Sequence, residues 1–194
     1  NTISTDLPIQ QILLKVCELL ISHNNLIISA APGAGKSTLL PLALLHEPWL
    51  KNKKILLLEP RRLAAASVAK RMAFLLGEEI GQTIGYRIRF ESKISGNRRI
   101  EVVTEGILTR MLQEDNALES YGLVIFDEFH ERSIHADLSL AFCLESQQIL
   151  RPDLKLIIMS ATLDIPGLSR LLKAEVVECP GRIFPIETVY TGIS

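Results

Sequence analysis

The chain is short of several things, and each shortage excludes a class of answer. It has three cysteines, Cys17, Cys143 and Cys179, far apart and with no Cys-x-x-Cys pair. That excludes a disulfide framework and a cysteine zinc site, and fits reduced thiols in a cytoplasmic protein. No apolar run is long enough to span a bilayer, and no basic segment leads into an apolar core at the start, so no membrane partner is expected. The formal net charge is −1. No global positive field advertises nucleic acid, so any such binding must come from a local cluster. Aromatics are 5% of the residues, too few for base stacking to dominate recognition. The first residue is Asn1 rather than Met, which reads as a trimmed chain.

What is present is a large apolar fraction, 47% of 194 residues. That is enough for the core of one large domain. Helical spacing of apolar residues runs from Leu7 to Ile21, with Asp6 as its cap. Short apolar runs at Leu26–Ile28, Ile55–Leu58, Ile100–Val103, Gly122–Phe126 and Leu154–Met159 read as buried strands, with a short last one at Val176-Val177. Helices are expected over Leu39–Leu45, Leu63–Leu76, from Ile107, over Ile134–Leu150 and around Leu168–Leu172. Tyr86–Phe90 alternates as a strand with basic residues on one face, Glu91–Arg98 reads as a polar turn, and Phe184–Tyr190 as an extended exit segment. Strands alternate with helices throughout and no linker interrupts them. The expected fold is therefore one α/β domain: an open, mainly parallel sheet with helices on both faces, over residues 1–194.

The segment around which this organisation turns is Ala30-Ala31-Pro32-Gly33-Ala34-Gly35-Lys36-Ser37-Thr38, between a strand and a helix. Gly33 and Gly35 can take backbone angles that aim successive N–H groups at one anion. The helix start adds unpaired N–H groups and a positive dipole end. Lys36 supplies a compact cation for the outer phosphates, and the Ser37 hydroxyl can ligate Mg²⁺. The first glycine of the usual phosphate-loop pattern is Ala30 here, which leaves the anion nest nearer Lys36 unaltered.

Three more strand ends carry polar groups: Arg61-Arg62, Asp127-Glu128 and Ser160 with Thr162. In a parallel sheet these ends line one edge, where ligands bind. Asp127 is placed to hold Mg²⁺, and Glu128 to orient and polarise an attacking water. His130-Glu131 with His135 invites a zinc-hydrolase reading. The spacing fails, because a second ligand on the same helix face belongs at the position of Ile134. Arg61, Arg62, Arg87, Arg89, Arg98 and Arg99 could reach a phosphate backbone. For Arg98 and Arg99, in a polar turn, ion pairing is the expected use.

These segments, in order, resemble a known family. Ala-Pro-Gly-Ala-Gly-Lys-Ser-Thr, Glu-Pro-Arg-Arg-Leu-Ala-Ala, Val-Thr-Glu-Gly-Ile-Leu, Asp-Glu-Phe-His and Ser-Ala-Thr are similar to motifs I, Ia, Ib, II and III of superfamily 2 helicases of the DEAH-box group. Phe129 stands where that group usually has Ala. With Gly-Tyr-Arg-Ile-Arg-Phe-Glu and Asp-Glu-Phe-His-Glu-Arg-Ser, the chain looks like the bacterial HrpB type. The resemblance implies the first RecA-like domain of an ATP-dependent RNA helicase. It implies that Gly33, Ala34, Gly35, Lys36, Ser37 and Thr38 hold phosphates and Mg²⁺, that Asp127 holds the metal, and that Glu128 activates water. Arg71 is implied to stack on the base of ATP, other nucleoside triphosphates being accepted as well. His130, Ser160 and Thr162 would couple nucleotide state to movement. Arg61, Arg62 and Thr104 would touch single-stranded RNA, or DNA. The second RecA-like domain and C-terminal domains would lie on a longer chain and carry motifs IV to VI.

Two other classes compete. A small-molecule kinase would need an acceptor pocket, and it gives Pro60-Arg61-Arg62, Thr104-Glu105-Gly106 and Ser160-Ala161-Thr162 no role. A nucleotide-gated nucleic-acid-binding module without catalysis gives Glu128 none.

Overall fold

A computed structural model describes residues 9–30, 35–161 and 165–179. Its eight strands are β1 Asn25–Ala30, β2 Lys54–Leu58, β3 Ile84–Ile88, β4 Glu91–Lys93, β5 Ile100–Val103, β6 Tyr121–Phe126, β7 Lys155–Ser160 and β8 Glu175–Cys179. Six helices connect them: α1 Gln10–Ser22, α2 Lys36–Leu44, α3 Arg62–Leu76, α4 Glu105–Glu114, α5 Ile134–Ile149 and α6 Ile165–Leu172. Two short 3-10 turns, Pro48–Leu50 and Phe129–Glu131, complete the described elements.

The strands are continuous apolar runs because both faces of the sheet are covered. Successive side chains point to opposite faces. Leu26, Ile28, Ile55, Leu57, Leu123, Ile125, Ile157 and Met159 pack on one side, against α1, α2 and α3. Ile27, Leu56, Leu58, Val124, Phe126, Leu156 and Ile158 pack on the other, against α4, α5 and α6. The sheet order is β4-β3-β5-β2-β6-β7-β1-β8. All pairings are parallel except β3 with β4. The open parallel sheet with two helical layers expected from the sequence is what the chain forms.

Three expectations need correction or completion. The polar stretch after Phe90 forms an edge strand, β4, rather than only a turn. Its three residues are all exposed, so it carried no apolar alternation by which to find it. Arg87 does not stand free on a basic face. Its side chain turns inward and pairs with Glu101, which is fully buried in β5. Arg98 pairs with the same carboxylate, the ion pairing expected of it, and the Tyr121 hydroxyl donates to it at 2.7 Å. Burial alone would raise the Glu101 carboxyl; the hydrogen bonds from Arg98 and Tyr121 outweigh it, and the group sits below the ordinary value. Asp6 and Phe184–Tyr190 lie outside the described residues.

Removing one partner from a buried ion network leaves the other charges uncompensated, at a cost of about 3–5 kcal/mol. Glu101→Ala, which abandons Arg87 and Arg98 together, is expected to cost about 3 kcal/mol of folding free energy because both guanidiniums retain some solvent. Glu101→Gln, which can still accept from Tyr121, should lose less. Urea unfolding followed by circular dichroism checks both.

Candidate nucleotide and nucleic-acid site

The site is set by strand order. The phosphate-loop strand β1 and the acidic strand β6 are not neighbours; β7 lies between them. Adjacent strands are about 4.8 Å apart, so β1 and β6 are about 10 Å apart. Two long side chains close that gap. Lys36 opens α2 on one side and Glu128 follows β6 on the other, and their Nζ and Oε1 atoms meet at 2.9 Å.

Local chemistry explains each placement. Gly35 has φ of 82°, a left-handed conformation that glycine adopts without a steric penalty, and it caps α2. Its carbonyl accepts from the Leu39 N–H at 2.9 Å. The opening N–H groups of α2 and its positive dipole end therefore face the loop. Lys36 is 2% exposed. A buried ammonium needs acceptors, and Glu128 and the Ala30 carbonyl supply them. Asp127 is equally deep, at 3% exposed. Its Oδ1 accepts from the Glu128 N–H at 2.8 Å and its Oδ2 from the Ser37 hydroxyl. Burial, offset by the Ser37 hydrogen bond and the charge of Lys36, leaves its carboxyl above the ordinary value. Thr38 turns its hydroxyl back to the Gly35 carbonyl at 3.4 Å.

Ser37 and Asp127 offer a hydroxyl and a carboxylate oxygen in direct contact. Hard oxygens of this kind suit Mg²⁺. Asp127 is buried and, among the described residues, accepts only from the Ser37 hydroxyl and the Glu128 N–H, a further reason why a divalent ion fits there.

The remaining residues lie along the same edge. His130 reaches Glu128 with Nε2 at 3.2 Å, and its Nδ1 accepts from the Ala161 N–H at 3.2 Å. It thus ties the end of β6 to the end of β7. Ser160 closes β7, with its hydroxyl buried and unpartnered among the described residues. Thr104 caps α4 and is buried, at 7% exposed. Arg61 is exposed and paired with Glu131. Arg62 donates to the Arg89 carbonyl at 2.9 Å. Arg71 is exposed on α3, its guanidinium 5.3 Å from the Phe74 ring centre. Gly33, Ala34 and Thr162 lie outside the described residues.

The sequence suggested no role for Glu59, and for Glu131 only the zinc spacing that fails. Glu59 directly follows β2, is 4% exposed, and accepts from the Arg61 N–H at 3.2 Å. Burial, and then the neighbouring charge of Asp127, push its carboxyl up to about 7. Glu131 sits with Glu128 and His130, their ligand atoms within 4.8 Å of one another. A glutamate at the end of an apolar strand, beside Pro60-Arg61-Arg62, was the available signal for the first.

A sequence model of the DEAD/DEAH box helicase family matches residues 8–171. The ATP-dependent RNA helicase HrpB of Escherichia coli is 54% identical over 96% of this chain. The ATP-dependent RNA helicase HrpA homolog of Haemophilus influenzae is 38% identical over 96%. The crystal structure of the E. coli DEAH/RHA helicase HrpB superposes with a TM-score of 0.88 at 55% identity, over 94% of this chain. The chain spans 23% of the E. coli protein and 14% of the H. influenzae one. No helix among the described residues is long and apolar enough to cross a membrane.

The raised Glu59 carboxyl carries a pH signature. An unfolded glutamate releases its proton near 4.5 and the folded one near 7. Between those values the folded state holds a proton the unfolded state has lost, so stability falls as pH rises through that window. Glu59→Gln should remove this group's share of the slope and raise stability above about pH 7 by at most about 3 kcal/mol. Thermal melts between about pH 5 and about pH 8, without nucleotide or divalent cation, measure it.

Proposed function

The chain belongs to the DEAD/DEAH box helicase family, and on that premise we propose that it is the first RecA-like motor domain of an ATP-dependent RNA helicase. In this reading it binds and hydrolyses a nucleoside triphosphate, ATP foremost, with Mg²⁺. It contacts the backbone of single-stranded RNA, or DNA, at the neighbouring strand ends. The observation that carries the reading is the meeting of Lys36 and Glu128 across β7, beside the Ser37–Asp127 pair.

The roles follow from charge and position. The backbone N–H groups around Gly33, Ala34 and Gly35 and at the start of α2, with Thr38 among them, surround the triphosphate. The Lys36 ammonium exchanges Glu128 for the outer phosphates, which frees Glu128 to face the attacking water. Glu128 then orients that water and accepts its proton as the oxygen approaches phosphorus. Ser37 and Asp127 would hold Mg²⁺, which would supply positive charge against the phosphate oxygens. His130, linked to both Glu128 and Ala161, couples the nucleotide to the end of β7, with Ser160 and Thr162. Arg71 faces the base. Arg61, Arg62 and Thr104 meet the nucleic-acid backbone.

The rest of the machine belongs to a longer chain, as the partial span of the relatives supports. It comprises a second RecA-like domain that closes over the nucleotide with arginine fingers, and C-terminal domains. The three cysteines are scattered along the chain with no Cys-x-x-Cys pair, which suits a cytoplasmic setting.

Two outcomes test the reading. Glu128→Gln should lower hydrolysis by about 10²- to 10⁴-fold while nucleotide affinity is kept; binding by calorimetry and phosphate release in the same preparation separate a catalyst from a gated binding module. This chain alone should hydrolyse ATP about 10³- to 10⁵-fold more slowly than a protein carrying both RecA-like domains, the contribution of an arginine finger. Equal rates, both stimulated by RNA, would overturn the division of labour.

A further inference from the structure

Arg61 is offered to a nucleic-acid phosphate, yet in this structure its guanidinium is already held. Nε donates to Glu131 Oε2 at 3.4 Å, and Nη2 donates to Glu131 Oε1. This two-toothed arrangement is the one by which arginine also grips a phosphate. One guanidinium edge cannot serve both anions at once. Among the described residues no second lysine or arginine is paired with Glu131: the adjacent Arg132 is engaged by Asp137 at 2.8 Å. The Arg61 backbone is fixed independently, because its N–H is held by the Glu59 carboxyl. The contest is therefore decided by the side chains.

Glu131 does not hang from a loose loop. It closes the 3-10 turn Phe129–Glu131, and its own N–H donates to the Glu128 carbonyl at 2.9 Å. Glu128, at the head of that turn, has φ of 48°, and Arg132, just past it, has φ of 44°. A turn bounded by two left-handed residues has few neighbouring conformations into which to drift. Glu131 and Glu128 are thus held on one short turn, joined by that backbone hydrogen bond.

Resting on the function proposed above, we propose that Glu131 is a positioning residue that competes with a nucleic-acid phosphate for the Arg61 guanidinium. The strand binds by displacing it, and its release is felt at the turn bearing Glu128. The Arg61–Glu131 pair lies at the surface, with side chains 69% and 30% exposed. Exposed pairs contribute little, so the competition is mild and reversible. It restrains binding by about two- to five-fold rather than blocking it.

The test is a double-mutant cycle on this chain. Affinity for a fluorescein-labelled single-stranded oligoribonucleotide is read by anisotropy at fixed salt, with a non-hydrolysable ATP analogue and Mg²⁺. Glu131→Gln should tighten binding about two- to five-fold when Arg61 is present. In an Arg61→Gln background, which itself weakens binding, the same change should do nothing. Thermal melts confirm that the variants, all altered at exposed side chains, remain folded. Equal tightening in both backgrounds would mean that removing any negative charge suffices, and would overturn the proposal. So would no tightening in either background. If the unaltered chain bound no oligonucleotide, the proposed function would fall together with this inference; a chain that binds but shows a flat cycle loses the inference alone.

Discussion

A buried ammonium must have a counter-charge, and the site is built on that constraint. Lys36 is almost wholly removed from water. The cost of desolvating it is offset by a carboxylate that reaches it from two strands away. The same two groups would face a triphosphate from opposite sides. The ion pair therefore keeps the two groups apposed, and in the proposed function it is the contact a nucleotide replaces. Anything that shifts β1 relative to β6 breaks it.

β7 is the spacer that makes this work. If β1 and β6 were neighbours, Lys36 and Glu128 would lie about 5 Å apart at the backbone, leaving little room for phosphate and water. With β7 between them, the gap is wide enough for a ligand and narrow enough for two long side chains to span. The end of β7 then lies beneath the reacting groups. Its Ser160 hydroxyl is buried without a partner among the described residues, and the next N–H, from Ala161, is taken by His130. In the proposed mechanism this strand end registers what occupies the site. Glu59 adds a second constraint. It is a buried acid near Asp127, placed at the end of β2, and it holds the backbone of Arg61. The proposed nucleotide and nucleic-acid sites thus share a network of carboxylates and arginines along one sheet edge.

Much of this was legible in the chain. Continuous apolar runs identified the central strands because a sheet covered on both faces demands them. The phosphate loop, Asp127-Glu128, Ser160 and Arg61-Arg62 stood out because each follows such a run. β4 was not legible, since an exposed three-residue edge strand has no apolar period. Arg87 was misjudged for a related reason. Its alternation with Arg89 looked like a basic surface, but its partner Glu101 is brought beside it only by the pairing of β3 with β5.

The order of residues determined by itself which segments become strands, where a phosphate can be cradled, and which acids follow the strands, because these depend on local polarity and spacing along the backbone. Tertiary structure alone decided that Lys36 meets Glu128, that Glu131 occupies Arg61, and that Glu59 is buried beside Asp127. Each of those facts depends on which strands lie side by side, and strand order is settled by the packing of the whole sheet between its two helical layers.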